Sequence, residues 1–275
     1  MTDSSPFVQI SGVSKIFDGN EAHSAIHVID NASLDIDAGE FIVFLGPSGC
    51  GKTTLMRIVG GLETANDGTV DLAGERVTGP DRHKGMVFQA YTSFPWLTVY
   101  ENILFGTKYR TDIGAAEKAE ISRHYLELVG LGEYAKFYVN RISGGMRQRV
   151  AIARTLAAGP DILLMDEPFG ALDAQTREFL QVQLLEISRL EKKAVIFVTH
   201  DVEEAVFLAD RIVMFSARPA KIVEILSVKD TIPGQRTLET KENEEFFRLR
   251  NHVRNVMLSE TNVLGLIDVP IGGGE

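Results

Sequence analysis

The sequence contains a single cysteine, Cys50, in 275 residues. An internal disulfide is therefore impossible, and a core of packed apolar side chains must hold the fold, as suits a reducing compartment. Long apolar runs are missing as well. The best of them, such as 194–198 ("AVIFV"), are strand-sized, far short of the roughly 18 apolar residues that a membrane-spanning helix requires. Positive charge is scarce: 28 Lys and Arg face 38 Asp and Glu, for a formal net charge of -10. That balance disfavours a broad surface for nucleic-acid phosphates, so no nucleic-acid partner is expected. Residues 1–10 are acidic and polar, with neither a basic flank nor an apolar stretch, and no secretory leader is expected. Any work at a membrane would be done peripherally, from the cytoplasmic face, through a protein partner.

What is present is an ordinary globular composition, 44% hydrophobic and 24% charged, enough to bury a large core. The run 41–45 ("FIVFL") is continuously apolar and ends at Gly46, the pattern of a parallel strand buried on both faces. A glycine-rich turn follows, then helical spacing over 53–59. The same grammar recurs at 161–165 ("DILLM") before a helix over 174–190, and at 194–198 before a helix over 202–208. Strands alternating with helices predict an α/β fold around a mainly parallel sheet. Residues 7–37 instead alternate apolar and polar types ("AIHVIDNASLDID"), predicting an antiparallel β subdomain with one solvated face. Strand signals vanish between 99 and 158, where 99–105, 115–129 and 144–158 have helical patterns and predict an inserted α-helical subdomain. From Glu239 onward, Phe246, Leu249, Val253 and Val256 fall on one helical face, an amphipathic helix that either docks on the body or meets a partner. The predicted organisation is a core with its antiparallel subdomain over 1–90, a helical subdomain over 91–158, the rest of the core over 159–230 and a helical extension over 231–275. No internal repeat is visible, and the one low-complexity tract is the "GGG" at 272–274.

Gly46, Pro47, Ser48, Gly49, Cys50, Gly51, Lys52 and Thr53 spell G-x-x-x-x-G-K-[ST] between a predicted strand and a predicted helix. This phosphate loop runs on to Thr54 and marks the core as a P-loop NTPase fold. Its glycines let backbone N–H groups close on phosphate oxygens, and the helix start adds about half a positive charge. Lys52 is expected to reach the β and γ phosphates, and the Thr53 hydroxyl to ligate Mg²⁺. Cys50 inside the loop is either a small residue that fits or a redox sensor. "ILLMDEP" (162–168) ends a buried strand on adjacent carboxylates, which suits Asp166 to the Mg²⁺ hydration shell and Glu167 to polarising a water. His200 closes another apolar strand at the edge where α/β folds place ligands, and is expected to contact the γ-phosphate. Gln89, ending "GMVFQ", can bridge metal and water through its amide.

Ser143, Gly144 and Gly145 open a further helix, offering a second set of free N–H groups and a hydroxyl to an anion. The helical insert holds this element apart from its own phosphate loop. Two copies arranged head to tail would let each present it to the γ-phosphate held by the other.

"ISGGMRQR" (142–149), the phosphate loop, "LLMDEP", "ALD" (171–173), Gln89 and His200 together resemble the ATP-binding cassette ATPases of transporters, over about 7–220. The resemblance implies ATP as substrate, Mg²⁺ as cofactor and a closed dimer with two ATP molecules between the subunits. Ser143 and Gly145 would then contact the partner's nucleotide, Asp173 would link the two sites, and Glu167 and His200 would support hydrolysis. Phe17, in "VSKIF", matches the aromatic that stacks on adenine, where Tyr is commoner; stacking needs only a π face. Ile142 stands where Leu is frequent, an apolar exchange. "VFQAYTSFPWLTVYENI" (87–103) and "SARPAKIVE" (216–224) look like the ATPase subunits of nitrate, sulfonate and taurine importers. In those the region after Gln89 receives a coupling helix from an integral membrane permease, and a solute-binding protein acts upstream. Phe94 and Trp96 suit such a surface, or belong to the core of the helical lobe. Other classes remain: a soluble cassette ATPase acting on nucleic acid or ribosomes, a small-molecule kinase, or an exporter subunit. The first is disfavoured by the single cassette without a long coiled coil, the second by Ser143 to Gly145. The tail is too short for a large β-rich regulatory domain.

Overall fold

The apolar run 41–45 forms strand β3 (Phe41–Leu45) in the middle of a six-stranded sheet, and all five of its side chains are buried. The structure, a computed structural model, describes residues 5–19, 24–90, 92–170 and 172–262. Strands β1 (Val8–Phe17) and β2 (Ile26–Ile36) pair antiparallel, as the alternating pattern predicts, with Val8 opposite Ile36. Helix α1 (Lys52–Val59) follows β3, and β4 (Asp67–Leu72) and β5 (Glu75–Arg76) complete a four-stranded antiparallel sheet of order β2-β1-β4-β5.

Strand β6 (Lys84–Val87) returns to the larger sheet and stops two residues short of Gln89. The helical lobe comes next: α2 (Val99–Gly106), α3 (Ala115–Leu128) and α4 (Gly144–Ala157), packed on one another. Thr98 and Glu101 close a capping box at the start of α2, which satisfies backbone N–H groups that the first helical turn leaves open. The core resumes with β7 (Ile162–Asp166), α5 (Ala174–Glu191), β8 (Ala194–Thr199), α6 (Val202–Leu208), β9 (Arg211–Phe215) and β10 (Ile222–Ser227). The larger sheet has the order β10-β9-β3-β8-β7-β6, parallel except for its β10 edge. Strands β4, β5 and β10 have weak sequence patterns for physical reasons. The first opens on Asp-Gly, the second spans two residues, and the third is an edge strand without a fully buried residue.

Because successive strand residues face opposite ways, β3 serves two cores at once. Phe41, Val43 and Leu45 join the helical lobe and α5 and α6 on one face, while Ile42 and Phe44 meet α1 and the antiparallel sheet on the other. The C-terminal helix α7 (Glu244–Asn262) follows a 3-10 turn at Leu238–Glu242, so it begins later than Glu239. It packs on α6 and buries Phe246, Leu249 and Val253, with Val256 half-buried, which is the docking alternative for this helix. The "GGG" tract at 272–274 lies outside the described residues.

Phe246 is 1% exposed within the main core. Phe246→Ala is expected to lower the unfolding free energy by about 3–5 kcal/mol in chemical denaturation, the usual cost of emptying such a site. A loss below about 1 kcal/mol would mean that α7 is not an integral part of the core.

Candidate functional site

The phosphate loop occupies the turn between β3 and α1. Gly49 and Gly51 take φ values of 73° and 134°, a region L side chains rarely enter, and a Cβ on Gly51 would lie 2.9 Å from the Val28 carbonyl oxygen. No side chain caps α1, so its first N–H groups point into the loop, where an anion would be welcome. Lys52 is buried, and its Nζ donates to the carbonyls of Gly46 at 2.7 Å and Pro47 at 2.8 Å. Cys50 is buried in the core beneath the loop, the placement of a packing residue.

Strand β7 delivers Asp166 beside this loop, where it accepts a 2.7 Å hydrogen bond from Thr53 Oγ1. Burial raises the Asp166 pKa, and the Thr53 hydrogen bond opposes that shift. Glu167 comes next with φ 44°, a left-handed conformation that costs a non-glycine residue on the order of 1–3 kcal/mol and is typical of functional sites. The turn aims its carboxylate between two partners. His200 Nδ1, just past the end of β8, lies 3.2 Å from Glu167 Oε1, and Gln89 Nε2 donates to Glu167 Oε2 at 3.4 Å.

Phe17 at the end of β1 is 38% exposed, its ring covered on one side by the Lys15 ammonium at 4.8 Å. Phe17, Ser48, Gly49, Gly51, Lys52, Thr53, Thr54, Gln89, Glu167 and His200 line one cleft of about 540 Å³. Ile26, Val28 and Arg218 line it too. Those three go beyond the sequence reading: the first two look like ordinary alternating strand residues, and Arg218 is a polar residue of the "SARPAKIVE" stretch.

Thr53 Oγ1, Asp166 and the Gln89 amide form an oxygen-rich donor set suited to a hard cation. Among the described residues no group of three or more His, Cys, Asp and Glu side chains forms a metal site. This sparse set fits Mg²⁺, which is usually bound through one or two carboxylates together with waters and substrate phosphates.

Ser143, Gly144, Gly145 and Asp173 are not on the walls of this cleft. Ser143 is the exposed N-cap of α4 and accepts from Met146 N at 3.3 Å. Asp173 caps α5 by accepting from Thr176 N at 2.9 Å, a bond that lowers its pKa. A Cβ on Gly145 would lie 3.1 Å from Leu172 Cδ2, so the α4 start and the segment before α5 adjoin. Ala171 lies outside the described residues, as does Tyr91.

The stretch after Gln89 divides its aromatics. Phe94 is half-buried against Phe105, ring centroids 4.6 Å apart, with the Arg154 guanidinium 5.0 Å from its centroid. Trp96 is 69% exposed. Fully buried Asn102 fixes this turn, accepting from Phe94 N at 2.8 Å and donating to the carbonyls of Phe94 and Thr98.

A phosphate loop, a buried acid at its hydroxyl and a second acid held by His and Gln define a P-loop nucleoside triphosphatase on an α/β core. The ABC transporter family model matches residues 29–170. An uncharacterized ABC transporter ATP-binding protein of Methanocaldococcus jannaschii is 46% identical over 253 residues, 92% of each chain. The nitrate import ATP-binding protein of Synechocystis sp. is 41% identical over 91% of this chain and 94% of its own. The aliphatic sulfonates import ATP-binding protein of Bacillus cereus is 42% identical over 90% and 94%. Among solved structures, a dimeric ATP-binding cassette in a post-hydrolysis state, bound to ADP and Pi, superposes with TM-score 0.71 at 32% identity, covering 80% of this chain and 98% of that one. The chain belongs to the ABC transporter family, and it is an ATP-binding, ATP-hydrolysing subunit.

Burial raises the Asp166 pKa, so the ionised carboxylate is less favoured in the folded chain than it would be in water, and holding it there costs the fold some stability. Asp166→Asn is expected to leave the melting temperature without nucleotide unchanged or higher, while ATPase activity with Mg²⁺ falls by at least about 10²-fold. Thermal melting and a phosphate-release assay on the same preparation test both halves.

Proposed function

We propose that this chain is the motor subunit of an importer, hydrolysing ATP at the cytoplasmic face of the membrane to drive uptake of a small solute through a separate integral membrane permease. The carrying observation is the geometry at Glu167: one carboxylate, set by a left-handed backbone, lies within reach of both His200 and Gln89 in the cleft of the phosphate loop. Nitrate, a sulfonate, taurine or a related compound is the proposed class of solute. The end-to-end likeness to a nitrate import and an aliphatic sulfonates import ATP-binding protein supports it. A solute-binding protein would deliver the cargo to the permease. Among the described residues no helix is long and apolar enough to cross a membrane, which is consistent with a peripheral subunit.

In this reading Phe17 stacks on adenine, and the phosphate loop from Gly46 to Thr54, through its backbone N–H groups other than at Pro47, and the Lys52 ammonium bind the phosphates. Thr53, Asp166 and Gln89 hold Mg²⁺, which when bound offsets negative charge on the phosphate oxygens. Glu167 takes the proton of the attacking water, and His200 orients that carboxylate and contacts the γ-phosphate. Ser143, Gly144 and Gly145 serve a second copy: two chains pack head to tail, each α4 start closing the other's cleft, with Asp173 at the junction. Their position off their own cleft supports this arrangement, as does the dimeric state of the cassette bound to ADP and Pi. Each charge-assisted hydrogen bond across the closed interface is worth roughly 1.5–3 kcal/mol, so its loss after phosphate release reopens the dimer. The helical lobe carries that motion to the permease through the turn that Asn102 fixes and Trp96 tops.

Glu167→Gln is expected to keep ATP affinity, lose turnover by at least about 10²-fold and accumulate a dimer in size-exclusion chromatography with ATP. Wild-type turnover in this variant would remove Glu167 as the base. Trp96→Ala is expected to weaken capture of the permease from native membranes by about tenfold or more, as for an aromatic hot spot, with the ATPase rate of the isolated chain unchanged. Permease capture at the wild-type level would place the docking surface elsewhere.

A further inference from the structure

The stretch "SARPAKIVE" includes Arg218, a charged side chain on the wall of the nucleotide cleft with no role in the scheme above. Its loop is tightly mounted. Ser216 N donates to the Lys221 carbonyl at 2.9 Å, and Ser216 Oγ accepts from Lys221 N at 3.0 Å. Buried Ala220 is stitched to β2, its N–H bonded to the Val28 carbonyl at 2.8 Å and its carbonyl accepting from Asp30 N at 3.0 Å. Lys221 adds an ion pair to Asp30 at 2.8 Å. The loop therefore spans the two sheets of the core, and its tip position is defined by backbone bonds on both sides.

From this mount Arg218 Nε donates to the Gly49 carbonyl at 3.2 Å. Gly49 holds φ 73°, and the guanidinium lies against it, with Nη2 3.4 Å from where a Cβ would stand, an ordinary contact distance. One donor of the planar fork is spent on Gly49, and both terminal nitrogens remain beyond it. The charge balance of the cleft adds weight. Its described lining carries two basic residues, Lys52 and Arg218, and one acid, Glu167, with the Asp166 carboxylate bonded behind Thr53, within a chain of net charge -10. A guanidinium fork is the side chain best matched to phosphate oxygens, through two parallel hydrogen bonds.

We infer that Arg218 is a nucleotide-binding residue, holding the phosphate chain of ATP against the loop at Gly49. The inference rests on the ATP-cleft reading proposed above and extends it to a loop outside the phosphate, acid and His motifs. Arg218 then adds affinity that is common to the bound and reacting states, so its loss raises KM and leaves kcat alone.

Titration calorimetry of the full chain with ATP, and separately with inorganic tripolyphosphate, tests this. Arg218→Met is expected to weaken both ligands about tenfold, with kcat within twofold of wild type. Arg218→Lys is expected to recover part of the loss, because the charge is kept and the fork is not. Arg218 is exposed, so both variants should melt like wild type. Unchanged ATP affinity in Arg218→Met would overturn the inference, and so would a loss confined to ATP with tripolyphosphate unaffected, since that places the contact on the nucleoside. If the wild-type chain itself bound no ATP, the cleft reading would fail first, which separates the two outcomes.

Discussion

A single 2.7 Å hydrogen bond from Thr53 Oγ1 to Asp166 Oδ1 joins residues 113 positions apart, and the site depends on the constraint behind it. Strands β3 and β7 flank β8 in one parallel sheet, with Leu45 opposite Thr199 and Asp166 opposite Val198. Parallel strands in register end at a common edge. The phosphate loop, Asp166, Glu167 and His200 all leave from that edge, so chemistry from three separate chain segments converges without any one segment having to bend far. Every residue of these three strands is buried, as in a parallel sheet covered on both faces.

Charge inside such a framework is costly, and the buried charges among the described residues lie at the cleft or have partners. Lys52 is buried with two loop carbonyls, and Asp166 keeps a buried carboxylate whose pKa burial pushes upward. Away from the cleft, buried Arg236 donates to the carbonyls of Phe207 and Ala209 and to Asp210, which ties the start of the C-terminal extension to the core. Buried Glu204 accepts from Thr199 at 2.7 Å and Gln181 at 3.3 Å. The contrast separates two uses of burial. Arg236 and Glu204 are satisfied by protein groups, whereas the strained Glu167 turn and the uncapped start of α1 keep their groups facing the cleft.

The helical lobe follows a different logic. Its three helices pack mainly on each other, and its polar features sit at helix starts and turns: Ser143 at α4, the Thr98 box at α2, Asn102 beneath the aromatic turn. This lets the lobe present surfaces, the glycine pair on one and Trp96 on another, while the core supplies the cleft. The loop carrying Arg218 does the reverse, crossing between the two sheets to bring a charge to a cleft built by other elements.

Much of this was legible in the residues. Continuous apolar runs such as 41–45 announce doubly buried strands, because only burial on both faces removes the need for alternation. The glycines and Lys-Thr of the phosphate loop carry their chemistry in their spacing, since a close phosphate cradle needs residues without Cβ atoms at set positions. Acids and a histidine at strand ends are visible for the same local reason. The two-residue β5, the edge strand β10 and the exact onset of α7 were not legible, because their patterns are short or only half-buried. The strand order β10-β9-β3-β8-β7-β6 was decided only by tertiary packing, which sets which apolar runs become neighbours. The same holds for the left-handed turn of Glu167 between His200 and Gln89, and for Arg218 against Gly49. Sequence spacing records what one segment can do; a contact across 169 positions, as between Arg218 and Gly49, exists only once the sheet has brought both ends to the same edge.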